Sequence, residues 1–140
     1  MQDGDELIKT ERWTSIVPEL VVTNIDRSVE VYTTLFGFEA EHTRPGLAVL
    51  KLPGGGQILL EQFDPKSPLI VSELKTPFGR GMSLTIRTEK PSALYEALRS
   101  AKHPIVVPMQ VAEYEEDGDT YSRSEFVVQD PDGYLLRFTD

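Results

Sequence analysis

The two histidines have the side chains in this sequence that are best suited to bind a metal ion. His42 and His103, joined by one carboxylate, would make a minimal site for zinc, iron or manganese, because imidazole nitrogens and carboxylate oxygens bind these ions. The ordinary interpretation of each histidine is a surface or edge residue that acts at most as a mild pH-sensitive group. We therefore expect neither to bind a metal.

The remaining reactive groups form no catalytic set. The chain has no cysteine, which excludes disulfides, thiolate metal sites and a cysteine nucleophile. Its serines have no partner His and Asp at any motif spacing, and the glycine run 54–56 joins two predicted strands instead of opening a helix. Neither a serine nucleophile nor a phosphate loop is indicated.

Acidic residues outnumber basic ones by 23 to 14, for a net charge of -9. A nucleic acid partner is excluded by this balance, since such binding depends on clustered Lys and Arg. The acidic surface provides solubility, and it could also attract a cationic small molecule. The acidic stretch 113–119 lacks the spacing of a calcium loop and is interpreted as a solvated hairpin turn.

The opening residues 1–14 are polar and acidic, unlike a secretion signal. No apolar stretch approaches the length of about 18 residues that a membrane span needs. We expect a cytoplasmic protein with no membrane partner.

Two parts of the chain repeat one order of predicted elements. In the first, a Val/Leu/Ile-rich strand covers 15–23, Asn24 caps a helix and Gly37 ends it. One apolar helix stripe and three more strands complete a βαβββ module. The stripe is Ile25, Val29, Tyr32 and Phe36, and the strands are 38–43, 47–52 and 57–63.

The second part predicts a strand at 82–88, a helix with Pro91 near its first position, and three further strands. Its helix face is Leu94, Ala97, Leu98 and Ala101, and its strands are 105–111, 124–128 and 134–138. We predict a single domain over 1–140, with module one at about 15–63 and module two at about 81–139. The apolar-centred linker 64–80 between them could pack on a sheet, contact a second subunit or act as a lid.

Two segments carry a family resemblance that covers nearly all of residues 15–139. They are Val22–Phe38, VTNIDRSVEVYTTLFGF, and Glu125–Phe138, EFVVQDPDGYLLRF. Through them the chain resembles the vicinal oxygen chelate superfamily of glyoxalase I, bleomycin resistance proteins, fosfomycin resistance enzymes and extradiol dioxygenases. The resemblance implies an α+β fold whose two modules curve into an open, cup-shaped half-barrel, usually completed in a homodimer.

Enzymes of this superfamily bind a divalent metal with up to four side chains from four strands. The resemblance places these positions at Val17, Glu61, Ser83 and Arg137, and neither histidine falls on one of them. Of the four, only Glu61 offers a good ligand, because valine has no lone pair, a serine hydroxyl binds weakly and a guanidinium repels a cation. We expect no metal and no cofactor.

Glu61 and Arg137 hold equivalent places in the two modules, so an ion pair could stand where the metal would be. Either the pair neutralises two charges in a half-buried cavity, or Arg137 binds an anionic or carbonyl group while Glu61 accepts from an amine. Phe63, Tyr121 and Phe126 could line the cavity or belong to the core. Trp13 could pack the N-terminal arm on the sheet or on a second subunit.

The leading hypothesis is a non-catalytic, homodimeric binding protein of the bleomycin-resistance-like branch, which sequesters a small molecule in the inter-module or dimer cleft. The acidic charge is compatible with a cationic ligand. The candidate ligand-binding residues are Glu61, Arg137, Ser83, Val17, Phe63 and Tyr121. One alternative is a glyoxalase-like lyase or dioxygenase that binds metal through Glu61 and unexpected ligands such as His42. Another is a regulatory or structural protein whose cavity is closed. A role in antibiotic resistance rests on the resemblance alone.

Overall fold

A computed structural model of the protein describes residues 12–140. This part of the chain forms eight strands and two helices. Unit 1 contains β1 (Glu19–Val22), α1 (Ile25–Thr34), β2 (Glu39–Arg44), β3 (Leu47–Lys51) and β4 (Gln57–Gln62). Unit 2 contains β5 (Ser83–Arg87), α2 (Pro91–Ser100), β6 (Ile105–Glu116), β7 (Asp119–Gln129) and β8 (Leu135–Thr139).

Each unit has one four-stranded mixed sheet. The strand orders are β1-β4-β3-β2, called sheet 1, and β5-β8-β7-β6, called sheet 2. In both sheets the first strand of the unit pairs in parallel with the last, and the other pairs are antiparallel. The structure thus confirms the predicted α+β fold of two βαβββ modules.

The chain divides into compact units after Glu73, so unit 2 spans Leu74–Asp140. Residues 64–80 form turns and bends, with no helix or strand in them. Several of their apolar side chains are exposed, with Val71 at 92% and Leu69 at 67%. The predicted role of this segment as a linker stays a prediction.

The first helix begins where the sequence predicts. The Asn24 side chain accepts from the Arg27 N–H at 3.1 Å, as an N-cap does. Gln62, at the end of β4, accepts from the Ile25 N–H at 2.9 Å and donates to the Thr23 carbonyl at 2.8 Å. One side chain of the sheet therefore holds the turn between β1 and α1. The helix buries Ser28 and Tyr32 against the sheet.

The second helix starts at Pro91 without a side-chain cap. It buries Pro91 and Leu98, and the Tyr95 ring lies 5.0 Å from the ring of Phe126. Two predicted members of its apolar face, Ala97 and Ala101, are exposed. That part of the prediction was wrong because the larger Tyr95 ring, and not the alanines, contacts the sheet.

The hairpin of β6 and β7 is longer than predicted. The acidic stretch 113–119 belongs mostly to its strands, and the turn consists of Asp117 and Gly118. Both have positive φ values, 53° and 84°, as a tight two-residue hairpin turn requires. Backbone pairing from Glu116 with Asp119 down to Ile105 with Val128, interrupted by register shifts, holds the two strands together.

The turn before β8 is organised by a buried carboxylate. Asp130 is 5% exposed and accepts from the N–H groups of Asp132 and Tyr134, both at 2.9 Å. The Asp132 carbonyl in turn accepts from the Phe78 N–H at 2.9 Å. The Asp-Pro-Asp-Gly motif thereby fixes both the start of β8 and the segment that precedes β5.

The N-terminal arm is held by Gln57 at the start of β4. Its side chain accepts from the Thr14 N–H at 2.7 Å, and it donates to the Arg12 carbonyl at 3.0 Å and to Glu41 at 2.7 Å. Residues 1–11, most of the segment considered as a possible leader, lie outside the described part of the chain. Among residues 12–140, no helix is long and apolar enough to cross a membrane.

Candidate functional site

Each sheet has one face that carries its helix and one helix-free face. Side chains alternate between the two faces along a strand, and directly paired residues on neighbouring strands point to the same face, so the pairing assigns each residue to one face. In sheet 1, Leu20, Val22 and Leu60 face α1 and are buried, whereas Glu61 belongs to the helix-free face with its partners Val21 and Leu47. In sheet 2, Phe126, Val128 and Leu136 are buried on the helix side.

The predicted site residues of unit 1 lie on or next to the helix-free face of sheet 1. Glu61 is half-buried, and Phe63 follows the end of β4 with 38% of its surface exposed. Val17 precedes β1 and packs against the buried pair Val49 and Leu59. The position that the resemblance assigns to the first metal ligand is therefore one of apolar packing.

The carboxylate neighbour of Glu61 on this face is Glu19, which the sequence analysis did not single out. Glu19 pairs with Leu59, two residues before Glu61, so the two carboxylates are diagonal neighbours on adjacent strands. In unit 2, Ser83 pairs with Leu135, which likewise comes two residues before Arg137. By this register the counterpart of Ser83 in unit 1 is Glu19 and not Val17.

The two histidines occupy unrelated places in their units. His42 is half-buried in β2, where it pairs with Val49. The Nε2 atom of His103 donates to the Gln129 carbonyl at 2.6 Å, which ties the turn after α2 to β7. Within residues 12–140, no three His, Asp or Glu side chains lie together in a group that could hold a metal ion.

The helix-free face of sheet 2 holds the predicted residues Arg137, Ser83 and Tyr121. Arg137 is exposed and lies between its strand partners Thr85 and Val127. Ser83 is exposed at the start of β5. Phe126, in contrast, is fully buried and stacks on Phe138 with ring centroids 5.4 Å apart, so it belongs to the core.

A cluster that sequence reasoning missed lies on this same face, at the hairpin of β6 and β7. The ring of Tyr114 stacks on that of Tyr121, with centroids 5.7 Å apart and an interplanar angle of 23°. The Arg123 guanidinium lies 5.2 Å from the Tyr121 ring centroid, within cation–π distance. The Tyr114 hydroxyl is 3.0 Å from both carboxylate oxygens of Glu125, which is only 7% exposed.

The electrostatics of this cluster follow from Glu125. Its carboxylate accepts from the Tyr114 hydroxyl, and this hydrogen bond is the main cause that raises the pKa of Tyr114 above 10.0. Desolvation and the negative charge of Glu125 act in the same direction, while the charges of Arg137 and Arg123 oppose them. Arg137 therefore lies close enough to the cluster to influence it.

A groove with a volume of about 620 Å³ lies elsewhere in unit 1, between α1 and the turn that joins β2 to β3. Asp26 and Glu30 line it from the helix, and Arg44 lines it from the turn. None of the predicted site residues lines this groove. The groove is therefore distinct from the predicted site residues, although Leu47, the strand partner of Glu61, also lines it.

Comparison with known families decides the family of the chain. The profile of the Glyoxalase/Bleomycin resistance protein/Dioxygenase superfamily matches residues 14–138. The chain belongs to this superfamily. Among curated proteins, none has a sequence similar enough to match.

Several solved structures share the fold at low sequence identity. TioX from Micromonospora sp. ML1 is 23% identical, with a TM-score of 0.66 over 90% of this chain and 97% of that one. A bleomycin resistance determinant encoded on the transposon Tn5 is 19% identical, with a TM-score of 0.57 over 91% and 97%. A superfamily protein from Alicyclobacillus acidocaldarius is 18% identical, with a TM-score of 0.60 over 89% and 90%.

The metal of the superfamily enzymes does not fit the residues at the four positions that the resemblance assigns to its ligands. Val17 is packed among apolar side chains and Arg137 carries a permanent positive charge. Ser83 offers a weak hydroxyl ligand, which leaves Glu61 as the one good donor of the four. Glu19 and His42 belong to the same face as Glu61, but among residues 12–140 no three such side chains lie together in a group that could hold a metal ion.

Proposed function

We propose that this superfamily member is a non-catalytic small-molecule-binding protein of the bleomycin-resistance-like branch. It sequesters its ligand against the helix-free faces of its sheets and acts as a homodimer. The proposal is supported by the residues at the positions that the resemblance assigns to metal ligands, Val17, Glu61, Ser83 and Arg137, of which only Glu61 is a good donor. Superfamily membership is shared by enzymes and resistance proteins, so the choice between them rests on these residues.

The helix-free face of sheet 2 has the groups that a binding site needs. Stacked tyrosines offer an apolar surface with polar edges, a guanidinium offers hydrogen-bond donors in a fixed fork, and a carboxylate offers an acceptor. These are Tyr114 and Tyr121, Arg137, and Glu125. Such a set supports binding by stacking and hydrogen bonding, with no step that needs a nucleophile or a bound metal.

The predicted pairing of Glu61 with Arg137 stays part of the proposal. In it, Glu61 accepts from an amine of the ligand, while Arg137 binds a carbonyl or anionic group. Ser83, Val17, Phe63 and Tyr121 are proposed to line the same ligand. Known bleomycin resistance proteins supply the analogy for sequestration, and the Tn5 determinant supports it through its similar fold.

The first experiment measures metal content of the purified protein and its thermal stability with zinc, nickel, manganese and iron(II). We expect substoichiometric metal and no large shift of the unfolding temperature. Stoichiometric metal, or strong stabilisation that Glu61→Gln abolishes, would instead favour the enzyme alternative with Glu61 and His42 as ligands.

The second experiment tests binding itself. Bleomycin and a set of small aromatic and peptide-like compounds are titrated against the protein by calorimetry and thermal shift. We expect at least one compound to bind with one-to-one stoichiometry per chain and to be recovered chemically unchanged. If every compound fails to bind, the alternative of a closed cavity and a regulatory or structural role takes precedence.

The proposed homodimer is tested by light scattering coupled to size exclusion. Exposed apolar side chains such as Ile16 at 80% and Val71 at 92% support a further contact surface, because such groups favour removal from water. We expect a mass of twice 15.7 kDa. A monomer at all concentrations up to about 100 µM, well above the Kd of a stable dimer, would remove this part of the proposal.

A further inference from the structure

Glu125 is a buried carboxylate with an open acceptor. Both of its oxygens lie 3.0 Å from the Tyr114 hydroxyl. One hydroxyl carries one proton, so it can donate to only one of them. Among residues 74–140, no other group donates a hydrogen bond to Glu125. A carboxylate at 7% residue exposure thus keeps acceptor capacity that its own unit does not fill, and a bound donor could use it.

Arg137 presents the complementary open group on the same face. Glu125 pairs with Thr139, while Arg137 pairs with Val127, which makes the two charged residues diagonal neighbours on adjacent strands. Their Cα atoms are then about 7–8 Å apart. Among residues 74–140, Arg137 forms neither a hydrogen bond nor an ion pair, and it is exposed. Its guanidinium donors are available to a ligand.

The stacked tyrosines adjoin Glu125. Tyr114 contacts Glu125 through its hydroxyl and contacts Tyr121 through its ring. A planar ligand ring placed near Tyr114 would therefore lie beside a carboxylate acceptor, with a guanidinium donor diagonal to that carboxylate on β8. The local charge is mixed, although the whole chain carries a net charge of -9. A purely cationic ligand would meet repulsion from Arg137 and Arg123.

We propose that the helix-free face of sheet 2 binds an aromatic zwitterion, with the ligand's ammonium or equivalent N–H donor on Glu125 and its carboxylate on Arg137. This inference rests on the proposed function and deepens it by naming the ligand class. It assigns Glu125 and Tyr114 to ligand binding, in addition to the predicted Arg137 and Tyr121. It also replaces the cationic ligand that the net charge would allow with a ligand that carries both charges.

The test uses three probes that share one ring system. L-Tryptophan carries both charged groups, tryptamine lacks the carboxylate, and indole-3-propionate lacks the ammonium. Binding is measured by calorimetry, and the site is mapped by ¹⁵N–¹H chemical shifts. We expect L-tryptophan to bind with a Kd of about 0.5 mM, as suits a ligand of its size. Each of the other probes should bind at least about tenfold more weakly, with shift changes centred on β6, β7 and β8.

Two variants assign the contacts. Glu125→Gln keeps the size of the side chain and removes its charge, so it should weaken L-tryptophan about tenfold and leave indole-3-propionate unchanged. Arg137→Gln should weaken L-tryptophan similarly and leave tryptamine unchanged. Glu113→Gln, on the opposite side of β6, and Arg99→Gln, on α2, are matched charge controls that should change nothing.

Several results would overturn the inference. Equal affinity for the three probes would show that the protein does not recognise the two charges together. Absence of L-tryptophan binding at 10 mM, about twenty times the expected Kd, would show that the hydrogen bond from Tyr114 to Glu125 has only a structural role. If Glu125→Gln does not fold, the affinities of the three probes for the native protein and for Arg137→Gln still test the inference. A compound from the broader binding experiment that binds without disturbing β6, β7 and β8 would preserve the proposed function and refute this inference alone.

Discussion

Gly133 lies so close to Pro77 that a methyl group on the glycine would stand 2.6 Å from the Pro77 Cα atom. The same glycine has φ at +92°, a value that side chains other than hydrogen disfavour. The turn before β8 therefore needs glycine for two independent reasons. It connects the packing of the segment before β5 to the strand that carries Arg137.

We predict that Gly133→Ala lowers the free energy of unfolding by about 2–4 kcal/mol, because backbone strain and the clash with Pro77 add. Gly118→Ala is the matched control, since Gly118 also has positive φ, at +84°, but a Cβ there would meet nothing within 4 Å. Gly118→Ala should lower the free energy of unfolding by only about 1–2 kcal/mol. Urea unfolding measures both, and equal losses would contradict the close contact.

Asp130→Ala should destabilise the protein by about 1–3 kcal/mol. The substitution leaves the N–H groups of Asp132 and Tyr134 without the carboxylate that now accepts from them inside the protein. Asp64→Ala is the control, because Asp64 makes a comparable side-chain hydrogen bond to the Lys66 N–H on the exposed surface. Chemical denaturation should show a smaller loss there, and a similar loss in both variants would count against the buried role of Asp130.

Substitutions at the starts of the two helices should have opposite effects on stability. Asn24→Ala removes the cap of α1 and should cost about 1 kcal/mol. Lys90→Ser places a capping hydroxyl where α2 has none and should stabilise by up to about 1 kcal/mol. Thermal unfolding of both variants tests this pair. Stabilisation by Asn24→Ala, or a loss with Lys90→Ser, would show that the caps do not control these ends.

Tyr114 should ionise at higher pH than a free tyrosine, because its hydroxyl donates to Glu125. A folded-state pKa raised above 10.0 means that the neutral form is favoured on folding, so this contribution is complete below pH 10 and is lost as pH rises through the folded value. Ultraviolet titration should show the late ionisation disappear in Tyr114→Phe. In Glu125→Gln, the pKa of Tyr114 should fall, and an unchanged value would contradict the assigned cause.

Much of the fold could be predicted from the sequence because its signals are local. Asn24 before an apolar stripe predicts the start of α1, and the Asp-Pro-Asp-Gly turn predicts the start of β8. The face of α2 was less well predicted, since Ala97 fits an apolar stripe by spacing alone. Contact with the ring of Phe126 instead favours Tyr95, and this contact depends on tertiary packing.

The cluster around Glu125 could not be predicted in the same way. Alternation with Phe126 assigns Glu125 to the opposite face of its strand. Its contact with Tyr114, however, depends on the register between β6 and β7, and that register shifts at two irregularities between Ile105 and Gln110. The family resemblance indicated Arg137 but gave no reason to consider Glu125, its diagonal neighbour.

The strand orders also determine how each sheet can assemble. Among residues 12–140, β1 and β5 are edge strands, and each pairs with one strand, β4 or β8, that comes last in its unit. The antiparallel hairpins β3–β4 and β6–β7 join neighbouring segments and close short loops, whereas each parallel pair must close a loop that spans the whole unit. Hairpin formation should therefore come first, and docking of β1 and β5 should be the slow step that completes each unit.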